Sequence, residues 1–115
     1  MQLKKIDISF RDNRGTISDI FYKANIEHVS VIETVGGKRL IRGNHYHKLT
    51  TQHIFMSRGA LRYWYQPVSK DTEVKVVDVP EGYMVTTPPY EIHALEHLDS
   101  SQFIVFSTGL RGGAD

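Results

Sequence analysis

Arg42-Gly43-Asn44-His45-Tyr46-His47-Lys48-Leu49-Thr50-Thr51-Gln52 is the stretch on which the fold turns, and His45-Tyr46-His47 is its centre. In an extended chain, side chains two apart point to the same face, so this reading projects both imidazoles from one side of one strand. A Gly-Asn pair precedes them. Two imidazoles on one strand face are hard to account for by packing alone.

Outward from this run the chain reads as short strands separated by turn formers. Residues 3–10 read as an edge strand, and Asp12-Asn13-Arg14-Gly15 is a turn cluster. Thr16 to Tyr22 is expected to be a strand, as is the β-branched run Ile26 to Val35, which Gly36-Gly37 ends. The histidine strand is expected to start near Arg39. Gln52 to Met56 and Leu61 to Tyr65 follow as strands, the second alternating with period two until Pro67. Ser69-Lys70-Asp71-Thr72 reads as a hairpin loop between it and Glu73 to Val79. Tyr83 to Thr87, Glu91 to Leu95 and Gln102 to Thr108 complete the set, and Gly109 to Asp115 is left as a loose tail. No stretch of ten or more residues carries the helical period. Many short strands at this spacing indicate an all-β sandwich or barrel.

Composition narrows the function classes. A chain of 115 residues is expected to form a single domain spanning 1–115. The apolar runs are far too short to span a membrane. The N-terminal residues Met1 to Ile6 lack the apolar stretch of a secretory signal, and there is no cysteine, so a cytoplasmic location is expected. A formal charge of +1 with scattered Lys and Arg gives no basic stripe for nucleic acid.

Of the six histidines, His28 reads as having no chemical role, whereas His53 and His97 each adjoin a candidate position. The pair His45/His47 suits two chemistries: neutral imidazoles ligate zinc, nickel, manganese or iron, and an imidazole titrating near neutrality is a general base.

The run from His45 to Gly59 reads H-x-H-x4-Q-x6-G and that from Gly82 to His97 reads G-x5-P-x-Y-x2-H-x3-H. Together they resemble the two motifs of the cupin superfamily, with Gln52 where a Glu ligand is usual, Tyr90 where a Gly is usual and His97 where an Asn is usual. The resemblance implies a small jelly-roll barrel in which His45, His47, Gln52 and His93 are the metal ligands. Asp12-Asn13-Arg14-Gly15 and the Arg-Gly-x-His-x-His-Lys run also resemble the nucleotide-sugar 3,4-ketoisomerases, which work without a metal, carry the same Gln, and typically lack the second-motif histidine. Arg-Gly-Asn-His-Tyr-His is similar as well to the zinc-binding C-terminal cupin domain of capsular polysaccharide-assembling epimerases.

These resemblances imply an isomerase or epimerase of a nucleotide-linked 4-keto sugar in surface polysaccharide biosynthesis, acting by proton abstraction beside the ketone. Either His45, His47, Gln52 and His93 hold an ion while Tyr46 or Tyr63 shuttles protons, or His47 or His45 is the base and Gln52 orients it. Arg42 and Arg14 are candidates for the diphosphate or the sugar, because a guanidinium binds phosphate bidentately. Arg111-Gly112-Gly113 reads as a frayed tail rather than a phosphate-binding turn. A homodimer is expected, since cupins of this kind cover their edges by exchanging or pairing N-terminal strands. An iron-dependent cupin oxygenase and a non-catalytic metal- or sugar-binding cupin are the rival classes.

Overall fold

The computed structural model describes residues 1–36, 40–69 and 72–109. Gly37, Arg39, the Lys70-Asp71 centre of the expected hairpin loop, and Arg111-Gly112-Gly113 lie outside the described residues. Eleven strands follow one another: β1 (Gln2–Lys5), β2 (Phe10–Asp12), β3 (Gly15–Ile17), β4 (His28–Thr34), β5 (Leu40–His45), β6 (Gln52–Arg58), β7 (Leu61–Pro67), β8 (Lys75–Val79), β9 (Tyr83–Thr87), β10 (Glu91–His97) and β11 (Ser101–Ser107). Among the described residues there is no helix.

Two expected strands are shorter or broken. The 3–10 run divides into β1 and β2 because Ile6 turns inward, buried, and gives its amide to the Gly82 carbonyl. Thr16 to Tyr22 keeps only the end of β3, where alternation of apolar and polar residues stops.

Pairing is antiparallel throughout and nested: β4 with β11, β5 with β10, β6 with β9, and β7 with β8. The nested pairs fall alternately into a sheet ordered β1-β9-β6-β11-β4 and a sheet ordered β5-β10-β7-β8. A long hairpin wrapped in this way is a jelly roll. The two sheets face each other as a sandwich, and no hydrogen-bonded ladder among the described residues closes one onto the other.

Period two builds the core. On β11, Ser101, Phe103, Val105 and Ser107 are buried and the residues between them are not. Ile54 and Met56 on β6, Leu61 and Tyr63 on β7, Val79, Val85 and Leu95 meet Phe103 and Val105 between the sheets. A third, two-stranded sheet, β2-β3, pairs only with itself and exposes Phe10 and Ile17.

The decisive local feature lies in β5. Along β10, Leu95 faces Arg42 and His97 faces Leu40, but His93 faces His45, with a register shift between His93 and Ala94. Asn44 is the extra residue of a β-bulge, and it and Gly43 adopt φ of 64° and 87°. A one-residue slip exchanges the two faces of a strand. Without the bulge Asn44 would stand opposite His93 and His45 would face away. A Cβ added to Gly43 would lie 3.2 Å from the His93 carbonyl oxygen, so both the backbone angle and the close approach require glycine.

Gly43→Ala is therefore expected to cost about 1–3 kcal/mol of stability. The urea midpoint measures it, and an unchanged midpoint would show that the bulge is not held by this contact.

Candidate active site: three imidazoles in the sandwich

The bulge turns His45 toward His93, and the chain leaves β5 at once, so His47 stands just beyond the strand end rather than on the strand as the alternation implied. The three rings nevertheless converge: His45 is 4.8 Å from His47 and 4.8 Å from His93 between centroids, and His47 is 5.7 Å from His93. One nitrogen of each lies within 4.8 Å of the others. They line a cavity of about 310 Å³ between the sheets with Gln52 and Arg42. Its remaining wall is apolar, including Ile54, Leu95 and Phe103. A larger hollow of about 530 Å³, over the segment from Ser18 to Val29, holds no histidine.

The three sites differ in exposure. His45 is exposed and His47 half-buried, while His93 is buried at 2%. Although His45 as a whole is exposed, desolvation of its ring at the cavity, and then the neighbouring His47, lowers the His45 pKa from its ordinary value. Burial pushes His93 down to about 4. The Glu91 carbonyl, 3.2 Å from His93 Nδ1, can only accept, so Nδ1 carries the proton and Nε2 keeps its lone pair. Neutral imidazoles with the other ring nitrogen hydrogen-bonded are the form that ligates metals. The donor set therefore fits a divalent ion, and Gln52 shares the wall from which a further oxygen could come.

Arg42 is the one arginine brought to this cavity among the described residues. Its Nε donates to Thr34 Oγ1 at 3.0 Å, bridging the two sheets and fixing the stem of a guanidinium that remains exposed. Arg14 is elsewhere, on the β2-β3 hairpin, where its guanidinium donates to Asp12 at 2.7 Å and lines a separate hollow.

Neither tyrosine of the expected proton shuttle lines the cavity. Tyr63 stands behind His93, ring planes 5° apart and centroids at 6.0 Å. It is fully buried, its hydroxyl donates to Glu91 Oε1 at 2.8 Å, and the Thr87 hydroxyl must then donate to it at 2.5 Å. Burial raises its pKa far above the ordinary tyrosine range. The alternation of β7 puts Tyr63 into the core, where it braces His93 instead of exchanging protons. Tyr46 stacks on Tyr90 with centroids at 6.3 Å.

His97 continues the inward face of β10 beneath the cavity. It is buried, packs on Phe103 and shares a 2.7 Å hydrogen bond with Ser101 Oγ. Burial first, then Arg42, lowers its pKa, as expected for a neutral structural imidazole. His53 lies on the other face of its sheet against Thr86 and Phe21, and His28 contacts Ser30. Sequence reasoning did not single out Glu91 and Thr87, because neither stands in a metal or phosphate motif.

The fold is shared with solved enzymes. A 3,4-ketoisomerase from Thermoanaerobacterium thermosaccharolyticum, solved as a variant with TDP-4-keto-6-deoxyglucose, superposes with a TM-score of 0.83 at 18% identity, covering 99% of this chain and 83% of that one. The dTDP-4-dehydrorhamnose 3,5-epimerase of Sulfolobus tokodaii gives 0.80 at 23%, covering 96% and 71%. The capsular polysaccharide assembling protein CapF of Staphylococcus aureus gives 0.65 at 20%, covering 91% of this chain and 29% of that longer one. No family model and no curated relative matches the chain. The likeness shows the fold, which is the cupin-like jelly roll that the two sequence motifs imply.

Two outcomes follow from the burial pattern. The unfolded chain binds protons on histidine near pH ~6.5 while folded His93 resists them down to about 4, so acidification through that window favours unfolding. In chelator-treated protein the urea midpoint is expected to fall steadily below pH ~6.5, and to fall less steeply in His93→Gln. Tyr63→Phe leaves Glu91 and Thr87 short of a partner and is expected to cost about 1–2 kcal/mol by the same assay.

Proposed function

We propose that this protein is an isomerase or epimerase of a nucleotide-linked 4-keto sugar, acting in the cytoplasm in surface polysaccharide biosynthesis. The observation that carries the reading is the convergence of His45, His47 and His93 with Arg42 on one cavity of a size for a sugar ring. The fold shared with sugar-nucleotide isomerases and epimerases supports it.

The chemistry asks for a base beside the carbon next to the ketone, a donor for the enolate oxygen, and a proton source for the return step. In a metal-free site His45, whose pKa is lowered by desolvation of its ring and then by His47, accepts the proton, with His47 beside it as the alternate base. Gln52 donates its amide N–H to orient the sugar or the imidazole. Arg42, on the same cavity, holds an anionic or hydroxyl group of the substrate. In an isomerase the base returns a proton to the former carbonyl carbon while the adjacent hydroxyl yields its own proton and the old keto oxygen gains one; in an epimerase a second acid on the other side gives a proton to the opposite face of the same carbon.

His45, His47 and His93, with Gln52, would hold zinc, nickel, manganese or iron, and such an ion when bound supplies a Lewis acid for the keto oxygen. His93, with its proton fixed on Nδ1 and its Nε2 lone pair free, is arranged as a ligand rather than as an acid.

The functional unit is proposed to be a homodimer of a single-domain chain. The β2-β3 hairpin pairs with no other strand and exposes Phe10, Ile17 and the neighbouring Ile8. An isolated two-stranded hairpin is marginal in water, and a second copy gives it a surface to cover.

Incubation with TDP-4-keto-6-deoxyglucose in deuterated solvent tests the reading. Deuterium should enter the carbon next to the ketone, and His45→Ala and His47→Ala should each lower the rate by about 10²-fold or more. Tyr63→Phe should lower it far less. Binding without deuterium entry would leave a non-catalytic sugar-binding protein, and oxygen uptake by iron-loaded protein would replace the reading with an oxygenase.

A further inference from the structure

Tyr90 holds a conformation that its side chain disfavours. Its φ is 63°, in the left-handed region, where a bulky residue is an outlier. Both its backbone groups are tied: the amide donates to the His47 carbonyl at 2.8 Å and the carbonyl accepts from Val68 N at 3.0 Å. The ring is 53% exposed and lies within 29° of parallel to that of Tyr46, itself 37% exposed. Strain that the surrounding structure over-determines collects at functional sites. Here it fixes an aromatic face in place. Tyr46 stands between two of the three converging histidines, and Tyr90 is hydrogen-bonded to the second of them.

The cavity is small for its proposed substrate. At about 310 Å³ it sits at the low end of ligand pockets, enough for a sugar ring but not for a ring, a diphosphate and a nucleoside together. The nucleoside must lie on the rim. The geometry points to the Tyr46-Tyr90 pair as the platform on which the pyrimidine base of the nucleotide stacks. This rests on the sugar-nucleotide reading above and adds to it the part of the site that selects a nucleotide over a simple sugar. Stacking on a preset face is tolerant of base identity, so thymine and uracil should both be accepted.

Calorimetric titration of thymidine diphosphate, uridine diphosphate and inorganic pyrophosphate into the whole protein tests it. Tyr90→Gly removes the ring and suits the backbone angle, so the variant should fold at least as stably as the parent. It is expected to weaken both nucleoside diphosphates about tenfold while leaving pyrophosphate unchanged, and Tyr90→Phe should retain the parent affinity. Tyr46→Ala should weaken the same two ligands in the same order. Equal loss for pyrophosphate, or no loss for the nucleotides, overturns the platform. Unchanged nucleotide affinity together with a dimer converted to monomer makes the pair a subunit contact, which also overturns it. If the parent protein binds neither nucleoside diphosphate, the sugar-nucleotide reading itself fails, a result distinct from failure of the variant alone.

Discussion

One extra residue in a β-strand governs this molecule's chemistry. The bulge at Gly43-Asn44 reverses the facing of the chain between Arg42 and His45, so both side chains enter the same cavity although an unbroken strand would send them to opposite faces. Without it the sandwich would still bury Leu95, Phe103 and Val105, but the face opposite His93 would carry an asparagine. Packing and chemistry are thus separable here: the core fixes where the sheets sit, and a local irregularity fixes what they hold between them.

His93 is the most constrained of the three imidazoles, and the constraint comes from behind. Tyr63 lies parallel to its ring, Glu91 and Thr87 saturate the Tyr63 hydroxyl, and the Glu91 carbonyl sets the tautomer. A buried polar network that is fully bonded is rigid, which is what a ligating or orienting imidazole requires. His45 is the exposed member of the three. Unequal burial therefore gives three chemically identical side chains different surroundings.

The two arginines that flank the histidine motif separate in the same way. Arg42 is anchored through Thr34 across the sheets and stays in the cavity, whereas Arg14 satisfies itself on Asp12 two residues away. Tyr46 and Tyr63 also part, one to an exposed stack at the rim and the other to the core. In each case the residue type was equally suited to the site, and the strand that carries it decided whether it arrived.

By itself the sequence determined the all-β architecture, since alternation, β-branched runs and Gly or Pro punctuation act over a few residues and need no distant partner. It also determined the spacing of His45, His47, Gln52 and His93, which two motifs bring to one cavity. The tertiary structure alone decided the rest. The facing of His45 depends on a register shift between β5 and β10, the tautomer of His93 on the Glu91 carbonyl at the start of its own strand, and the burial of Tyr63 on which sheet face β7 presents. The first of these is a pairing between residues some fifty positions apart in the chain. Local pattern carries no record of them, because a bulge of one residue costs little in propensity and yet exchanges the two sides of a strand.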